Sequence, residues 1–128
     1  LAPLAPPPRP VLADPEDTTA PLSDRARAYL HANCSFCHRP GGPGRGEADL
    51  RFDRTFAGTH LCNTPPEAGT LGIPGAKLLV PGSPSASLLS VRMHRTGSER
   101  MPPLGSALVD PAGTSLVDAW IASLGTCQ

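Results

Sequence analysis

The sequence predicts a small all-α domain of about three to five helices joined by long Pro/Gly-rich loops. Three segments carry apolar residues at helical spacing, and two of them follow a helix-start signal in which a capping residue precedes proline. The stretches between them hold many of the 13 glycines and 17 prolines. No segment shows a convincing strand pattern, so the 128 residues suit one helical domain.

The first helix is expected to open at Ser23 or Asp24 and to end near Cys34. The run between these positions contains good helix formers and no helix breaker. Four residues would share one face of this helix: Ala26, Tyr29, Leu30 and Asn33.

The second helix is predicted from Ser83, a capping hydroxyl, followed by Pro84 at the first helical position. It would continue as far as a stop at Gly97. Its central residues are Leu88, Leu89, Val91, Arg92 and Met93.

The third helix is predicted from Asp110 and Pro111, with Gly125 ending it. Its apolar face would consist of Leu116, Val117, Trp120, Ile121 and Leu124. In the loops before it, three residues are expected to line a small pocket: Leu50, Phe52 and Phe56.

Residues 1–21 hold seven prolines and are interpreted as a linker or tether, with an arm packed on the domain as the alternative. Residues 22–128 would form the domain. The 11 basic and 11 acidic residues give no net charge and no basic stripe, which does not favour nucleic acid as a partner. No apolar run approaches the roughly 20 residues of a membrane span.

Cys34, Cys37 and His38 form a C-x-x-C-H run, the pattern of covalent c-type haem attachment. Two thiols three positions apart at a helix end can each add to one haem vinyl group. The following histidine would then present an imidazole nitrogen to the iron. The sequence therefore predicts one covalent haem c, with His38 as an iron ligand.

Two other uses of this run stay open. A C-x-x-C pair can be a redox dithiol, although that motif usually opens a helix within a βαβ unit. It can also supply part of a zinc site, which would need a further ligand beyond Cys34, Cys37 and His38. The candidates for that ligand are His31, His60 and His94.

Met101 is predicted to be the second axial ligand of the iron, since methionine is a common partner of histidine in electron carriers. It lies in a loop, and the two prolines that follow it should stiffen the backbone. Met93 lies inside a predicted helix and is expected to pack in the core. His31 is expected to face water and, with His60 and His94, is a rival for the ligand position.

Two further contacts of the haem are predicted. The second ring nitrogen of His38 needs a hydrogen-bond acceptor, and residues 40–44 are the nearest candidates. Arg92 could pair with a haem propionate, because guanidinium groups bind carboxylates well; a solvated helix face is its alternative.

Cys62 and Cys127 are expected to form a disulfide, with two free thiols as the alternative. Haem attachment of this kind takes place after export, in an oxidising compartment where disulfides persist. A periplasmic or otherwise exported location is therefore expected.

Four stretches together resemble bacterial mono-haem c-type cytochrome domains, class I-like and His/Met ligated, of the kind found at the C-terminal end of larger secreted multidomain proteins. They are 28–42 with the C-x-x-C-H run, 81–89, 100–105 with Met-Pro-Pro, and 120–124. The resemblance covers about residues 22–127. Residues 41–80 are longer and richer in proline and glycine than in the smallest cytochromes c.

The resemblance implies the cytochrome c fold, with the first and last helices crossing. This agrees with the helix faces predicted from the residues, by which Ala26 and Leu30 would meet Leu116 and Trp120. The resemblance also implies that Cys34 and Cys37 hold the vinyl groups, that His38 is the proximal ligand and that Met101 is the distal one.

The expected function is electron transfer without catalysis, to a redox partner protein or from an upstream enzyme domain. The alternatives are haem-based catalysis such as peroxide reduction, and a zinc-binding module.

Overall fold

The computed structural model of the chain describes residues 2–6, 11–103 and 108–127. Three α-helices occur in these ranges: α1 (Leu22–Cys34), α2 (Leu88–Met93) and α3 (Pro111–Ser123). Short 3₁₀ turns occupy Ala57–Thr59, Pro84–Ala86 and Gly97–Glu99. The same ranges contain no strand, only isolated bridges between single residues. The prediction of a helical domain without strands is confirmed for this part of the chain.

Parts of two predicted segments lie outside the described residues. Leu1 and residues 7–10 belong to the predicted linker, residues 104–107 belong to the loop after Met101, and Gln128 is the last residue. None of the helices in the described part is long and apolar enough to cross a bilayer.

Helix α1 begins at Leu22, slightly before the predicted start, and ends at Cys34 as predicted. Pro21 precedes it in an extended conformation, and no side chain caps the first turn. Ser23 and Asp24 instead lie inside that turn, where an acidic group favours the helix dipole. The Nε of Arg25 donates to the carbonyl of Pro15 at 2.9 Å, so the end of the Pro-rich segment contacts this helix.

The second predicted helix is divided in the structure. Pro84–Ala86 is a 3₁₀ turn, and α2 begins only at Leu88. Between them, the buried hydroxyl of Ser87 donates to the carbonyl of Ser83 at 2.8 Å and accepts from the N–H of Val80 at 2.8 Å. Serine side chains that bond nearby backbone groups compete with continuous helix. The prediction of one helix reaching Gly97 was therefore wrong.

Helix α3 begins at Pro111, with Asp110 as its N-cap, as predicted. The carboxylate of Asp110 accepts the N–H of Gly113 at 3.1 Å, which satisfies one of the unpaired donors of the first turn. The helix ends at Ser123, two residues before the predicted stop at Gly125.

Helices α1 and α3 pack against each other and form the centre of the core. The four residues expected to meet there all belong to one buried cluster: Ala26, Leu30, Leu116 and Trp120. The ring of Phe56 packs edge-on against Trp120, with ring centroids 5.7 Å apart. Burial of apolar surface in this cluster is the main favourable contribution to folding.

A disulfide joins Cys62 to Cys127, as predicted, with Cα atoms 5.6 Å apart. It links the long middle loop to the chain just after α3. Within the loop, the N–H of Asn63 donates to the carbonyl of Leu79 at 2.8 Å. The disulfide thereby fixes the middle loop, whose regular structure is the short 3₁₀ turn Ala57–Thr59, beside the end of α3.

Candidate functional site

The candidate site begins at the C-terminal end of α1. Cys34 is the last residue of the helix, and its carbonyl accepts the N–H groups of Cys37 at 3.3 Å and His38 at 3.0 Å. This tight turn holds Cys34, Cys37 and His38 as close neighbours. Both thiols are free, whereas Cys62 and Cys127 are bonded to each other. The structure thus divides the four cysteines into one disulfide and one free pair.

Burial controls the charge of this site. It raises the pKa of the Cys34 thiol to about 12, and the nearby Cys37 contributes in the same direction. Burial also lowers the pKa of His38, because desolvation disfavours the imidazolium. The site therefore presents a protonated thiol at Cys34 and favours neutral imidazole at His38, and the neutral imidazole is the form that can bind a metal.

The loop formed by residues 40–44 packs on the His38 ring. The N–H of Gly44 donates to the carbonyl of Cys37 at 2.9 Å. A Cβ at position 44 would lie 2.7 Å from His38 Nδ1, so this close approach requires glycine. From the other direction, the N–H of Leu50 donates to the His38 carbonyl at 2.9 Å. The predicted loop does lie against the ring, while the hydrogen-bond acceptor of Nδ1 stays a prediction.

Met101 is half-buried in the loop after α2. Its N–H donates to the carbonyl of Arg92 at 3.0 Å, and the N–H of Arg100 donates to the carbonyl of Gly97 at 3.3 Å. The backbone before the methionine is therefore anchored to the end of α2. Its position opposite His38 stays a prediction. Met93, by contrast, is buried in the main core cluster, as expected.

Arg92 does not lie on a freely solvated helix face. Its side chain is part of a bridge between two loops, with Nη1 donating to the carbonyl of Glu99 at 3.0 Å and Nη2 to that of Ala68 at 3.5 Å. The predicted pairing of Arg92 with a propionate stays a prediction, although two of its nitrogens already have backbone partners.

Arg100 is a residue that the sequence reasoning missed. It is only 7% exposed, and its guanidinium joins two points of the loop after Met101. Nε donates to the carbonyl of Pro102 at 3.1 Å, and Nη2 donates to that of Leu108 at 2.9 Å. The remaining nitrogen, Nη1, is buried without a hydrogen-bond partner among the described residues. The sequence feature that could have identified Arg100 is its position directly before Met101.

Two of the other three histidines have structural contacts. His31 was expected to face water, but its Nδ1 accepts the N–H of Phe52 at 2.9 Å and so fastens α1 to the middle loop. His60 is exposed, as expected. His94 is also exposed and pairs with Asp118 at 2.8 Å, and the Ser90 hydroxyl bonds the same carboxylate. No three His, Cys, Asp or Glu side chains in the described ranges form a group that could hold a metal ion.

Comparison of the chain with protein-family models, curated proteins and solved structures finds no match.

Two cavities are bounded by described residues. One, of about 380 Å³, is lined by Phe52 and Phe56, as the sequence predicted, together with Arg27 and Trp120. Leu50, the third residue expected there, is buried in the core instead. The other cavity, of about 500 Å³, lies beside Asp49. Neither of these two includes the free cysteines in its lining.

Proposed function

We propose that this chain is an electron-transfer domain with one c-type haem, attached through Cys34 and Cys37 and ligated by His38 and Met101. The observation that carries the proposal is which cysteines are bonded and which are free. Cys62 and Cys127 bond to each other, so the two thiols left free are the pair directly before His38. A C-x-x-C-H run with unbonded thiols is what covalent haem attachment requires.

The residues of the site fit such a group. When bound, the haem supplies an iron that exchanges single electrons between its ferrous and ferric states. Cys34 and Cys37 would hold the porphyrin through thioether bonds. His38 is buried enough to favour the neutral ring, and the close contact with Gly44 restricts the orientation of its imidazole. Orienting contacts of this kind tune a metal-bound histidine.

Met101 would fill the last position on the iron. The hydrogen bond from its N–H to the Arg92 carbonyl fixes its backbone at the end of α2. Iron bound by two protein side chains has no free position for a substrate. This arrangement favours a carrier, or a redox module of a larger oxidoreductase, over an enzyme acting at the haem.

The disulfide is typical of proteins from an oxidising compartment, which supports the proposed periplasmic or otherwise exported location. Zero formal net charge argues against strong long-range steering towards a highly charged partner. We propose that the domain meets its redox partner transiently, or that residues 1–21 tether it to an upstream enzyme domain.

The deciding experiment is to produce the chain with an export signal in a bacterial host that matures c-type cytochromes. We expect a red protein whose mass exceeds that of the chain by one haem, and the haem should stay attached after denaturation. The variant Cys34→Ala with Cys37→Ala should lose that attachment.

The matched control is Cys62→Ser with Cys127→Ser, which removes the other two cysteines and their disulfide and should still yield attached haem. A colourless wild-type protein with no added mass contradicts the proposal. Zinc in place of iron in a metal analysis identifies the zinc-binding alternative. Ready binding of carbon monoxide or cyanide by the wild-type protein favours the catalytic alternative.

A further inference from the structure

Arg100 is a buried cation whose partners among the described residues are neutral. The residue is more than nine-tenths buried, and a guanidinium keeps its charge in proteins. Within the described part of the chain, it donates hydrogen bonds to the carbonyls of Pro102 and Leu108, which carry no net charge. Burying a charge without a counterion is strongly unfavourable, so an anionic partner would stabilise this guanidinium.

The ion pairs in the described part of the chain do not include Arg100. The arginines that form them are Arg51, Arg54 and Arg95, and their partners are Asp49, Asp53 and Glu99 respectively. The neighbouring acidic residue, Glu99, is therefore engaged by Arg95 at 3.4 Å. The carboxylate closest to Arg100 in sequence is thus already paired.

Arg27 offers the closest comparison, because its Nε is also buried without a hydrogen-bond partner among the described residues. Burial lowers the pKa of Arg27, and the carboxylates of Asp49 and Asp24 act in the opposite direction. Arg27 therefore has carboxylates of this chain near its charge. For Arg100, the described residues show only the two neutral carbonyls and one unused nitrogen, Nη1.

The position of Arg100 indicates which anion would meet this nitrogen. It directly precedes Met101, and its Nε bonds the carbonyl of the residue that directly follows the methionine. A group bound next to Met101 would therefore lie close to the guanidinium. Haem carries two propionate carboxylates, and arginine binds carboxylates through geometrically matched N–H donors.

We propose that the free Nη1 of Arg100 binds a carboxylate of the cofactor, namely a haem propionate, and that Arg100 takes the role which the sequence assigned to Arg92. This inference rests on the proposed function. Arg92 is less suited, because its Nη1 and Nη2 already donate to backbone carbonyls. Arg100 would thus connect the loop that carries Met101 to the edge of the haem.

The test uses the full haem-loaded chain and the variant Arg100→Met, which keeps an unbranched side chain but removes the charge. We expect a lower reduction potential than in the wild type, because a cation near the iron favours the ferrous state. We also expect a shift of the propionate bending band in the resonance Raman spectrum, which a purely structural role of Arg100 would not produce.

The matched controls are Arg92→Met and Arg95→Met, which remove the same charge from a loop bridge and from the exposed ion pair with Glu99. Both should leave the propionate band in place. The inference is wrong if Arg100→Met leaves the band unchanged, or if Arg92→Met shifts it instead.

A second measurement needs no variant. Thioether-bound haem stays on the chain after unfolding, so the denatured holoprotein supplies a reference with its propionates in water. The propionate band of the native protein should differ from that reference, and identical bands would contradict the proposal. A wild-type protein without haem contradicts the proposed function itself, so the two failures are distinguishable.

Discussion

The phenol of Tyr29 lies so close to Gly113 that a Cβ at position 113 would overlap it. The same phenol donates to Asp110 Oδ2 at 2.8 Å, while Asp110 Oδ1 accepts the N–H of Gly113 at 3.1 Å. One tyrosine on α1 therefore contacts both the glycine and the N-cap of α3. This contact determines how closely the two helices approach each other.

We expect Gly113→Ala to destabilise the domain. In an isolated helix this change is favourable by about 1 kcal/mol, because alanine has the higher helix propensity. Here the added methyl would displace Tyr29 or separate the helices, and the overlap is severe enough that the overpacking cost, up to about 3 kcal/mol, should exceed this gain. Urea unfolding followed by circular dichroism measures the difference.

The matched control is Gly125→Ala, since a Cβ at that position would have no atom within 4 Å. The urea concentration at the midpoint of unfolding of Gly125→Ala should stay close to that of the wild type. A Gly113→Ala protein as stable as the wild type would show that α1 and α3 do not approach as closely as described.

Asp110 should make the stability of the domain depend on pH under acidic conditions. The Gly113 N–H, followed by the Tyr29 hydroxyl, holds the pKa of this carboxyl below its ordinary value. The unfolded state therefore binds the proton first as pH falls. The contribution is fully present above about pH 4 and is lost as pH falls through the lowered folded-state pKa.

Asp110→Asn should accordingly flatten the dependence of the free energy of unfolding on pH below about pH 4. Asp110→Ala should also cost about 1 kcal/mol at neutral pH, because the helix loses its cap. Glu47→Gln, which changes an exposed carboxylate, serves as the control. If the free energy of unfolding of Asp110→Asn falls with decreasing pH as steeply as that of the wild type, this role of Asp110 is contradicted.

Gly44→Ala is expected to disturb the ring of His38. The new methyl would come within 2.7 Å of both Nδ1 and the Cys37 carbonyl, so one of these groups must move, at a cost of about 1–3 kcal/mol. In the proposed haem protein this should lower the ratio of haem absorbance to protein. Gly125→Ala should leave that ratio unchanged, and equal ratios in the two variants would contradict the prediction.

The two methionines should respond differently to the same substitution in the proposed haem protein. Met101→Leu removes the predicted axial thioether, so the reduction potential should fall by on the order of a tenth of a volt or more, and the ferrous protein should bind carbon monoxide. Met93→Leu changes only core packing and should cost less than about 1.5 kcal/mol with no effect on ligation. The reverse pattern would assign the ligand to Met93.

Removing the disulfide with Cys62→Ser and Cys127→Ser should lower the free energy of unfolding by roughly 4 kcal/mol. The bond closes a loop across 65 residues, and the chain-entropy model assigns a loop of this length that contribution. Equilibrium unfolding of both proteins gives the value. Thiol titration of the unfolded wild-type protein should detect no free thiol from either residue, and its detection would contradict the bond.

Local signals in the sequence were sufficient for much of the helical framework. The Asp110-Pro111 pair marked the start of α3, and the first cysteine marked the end of α1, because caps and helix-compatible runs act over only a few residues. The same signal at Ser83-Pro84 was overridden by Ser87, whose side chain bonds backbone carbonyls that lie four and seven residues earlier in the chain. No pattern in the neighbouring sequence predicts that the side chain of Ser87 would interrupt the helix in this way.

By itself, the sequence predicted covalent haem at the C-x-x-C-H run, because that prediction depends only on the spacing of neighbouring residues. Only the tertiary structure decided between a bond and two free thiols for Cys62 and Cys127, and only it showed that Gly44 lies against His38 and that Arg100 is buried. These relationships join positions distant in the chain, or depend on what surrounds a side chain. They follow from how α1, α3 and the loops pack together.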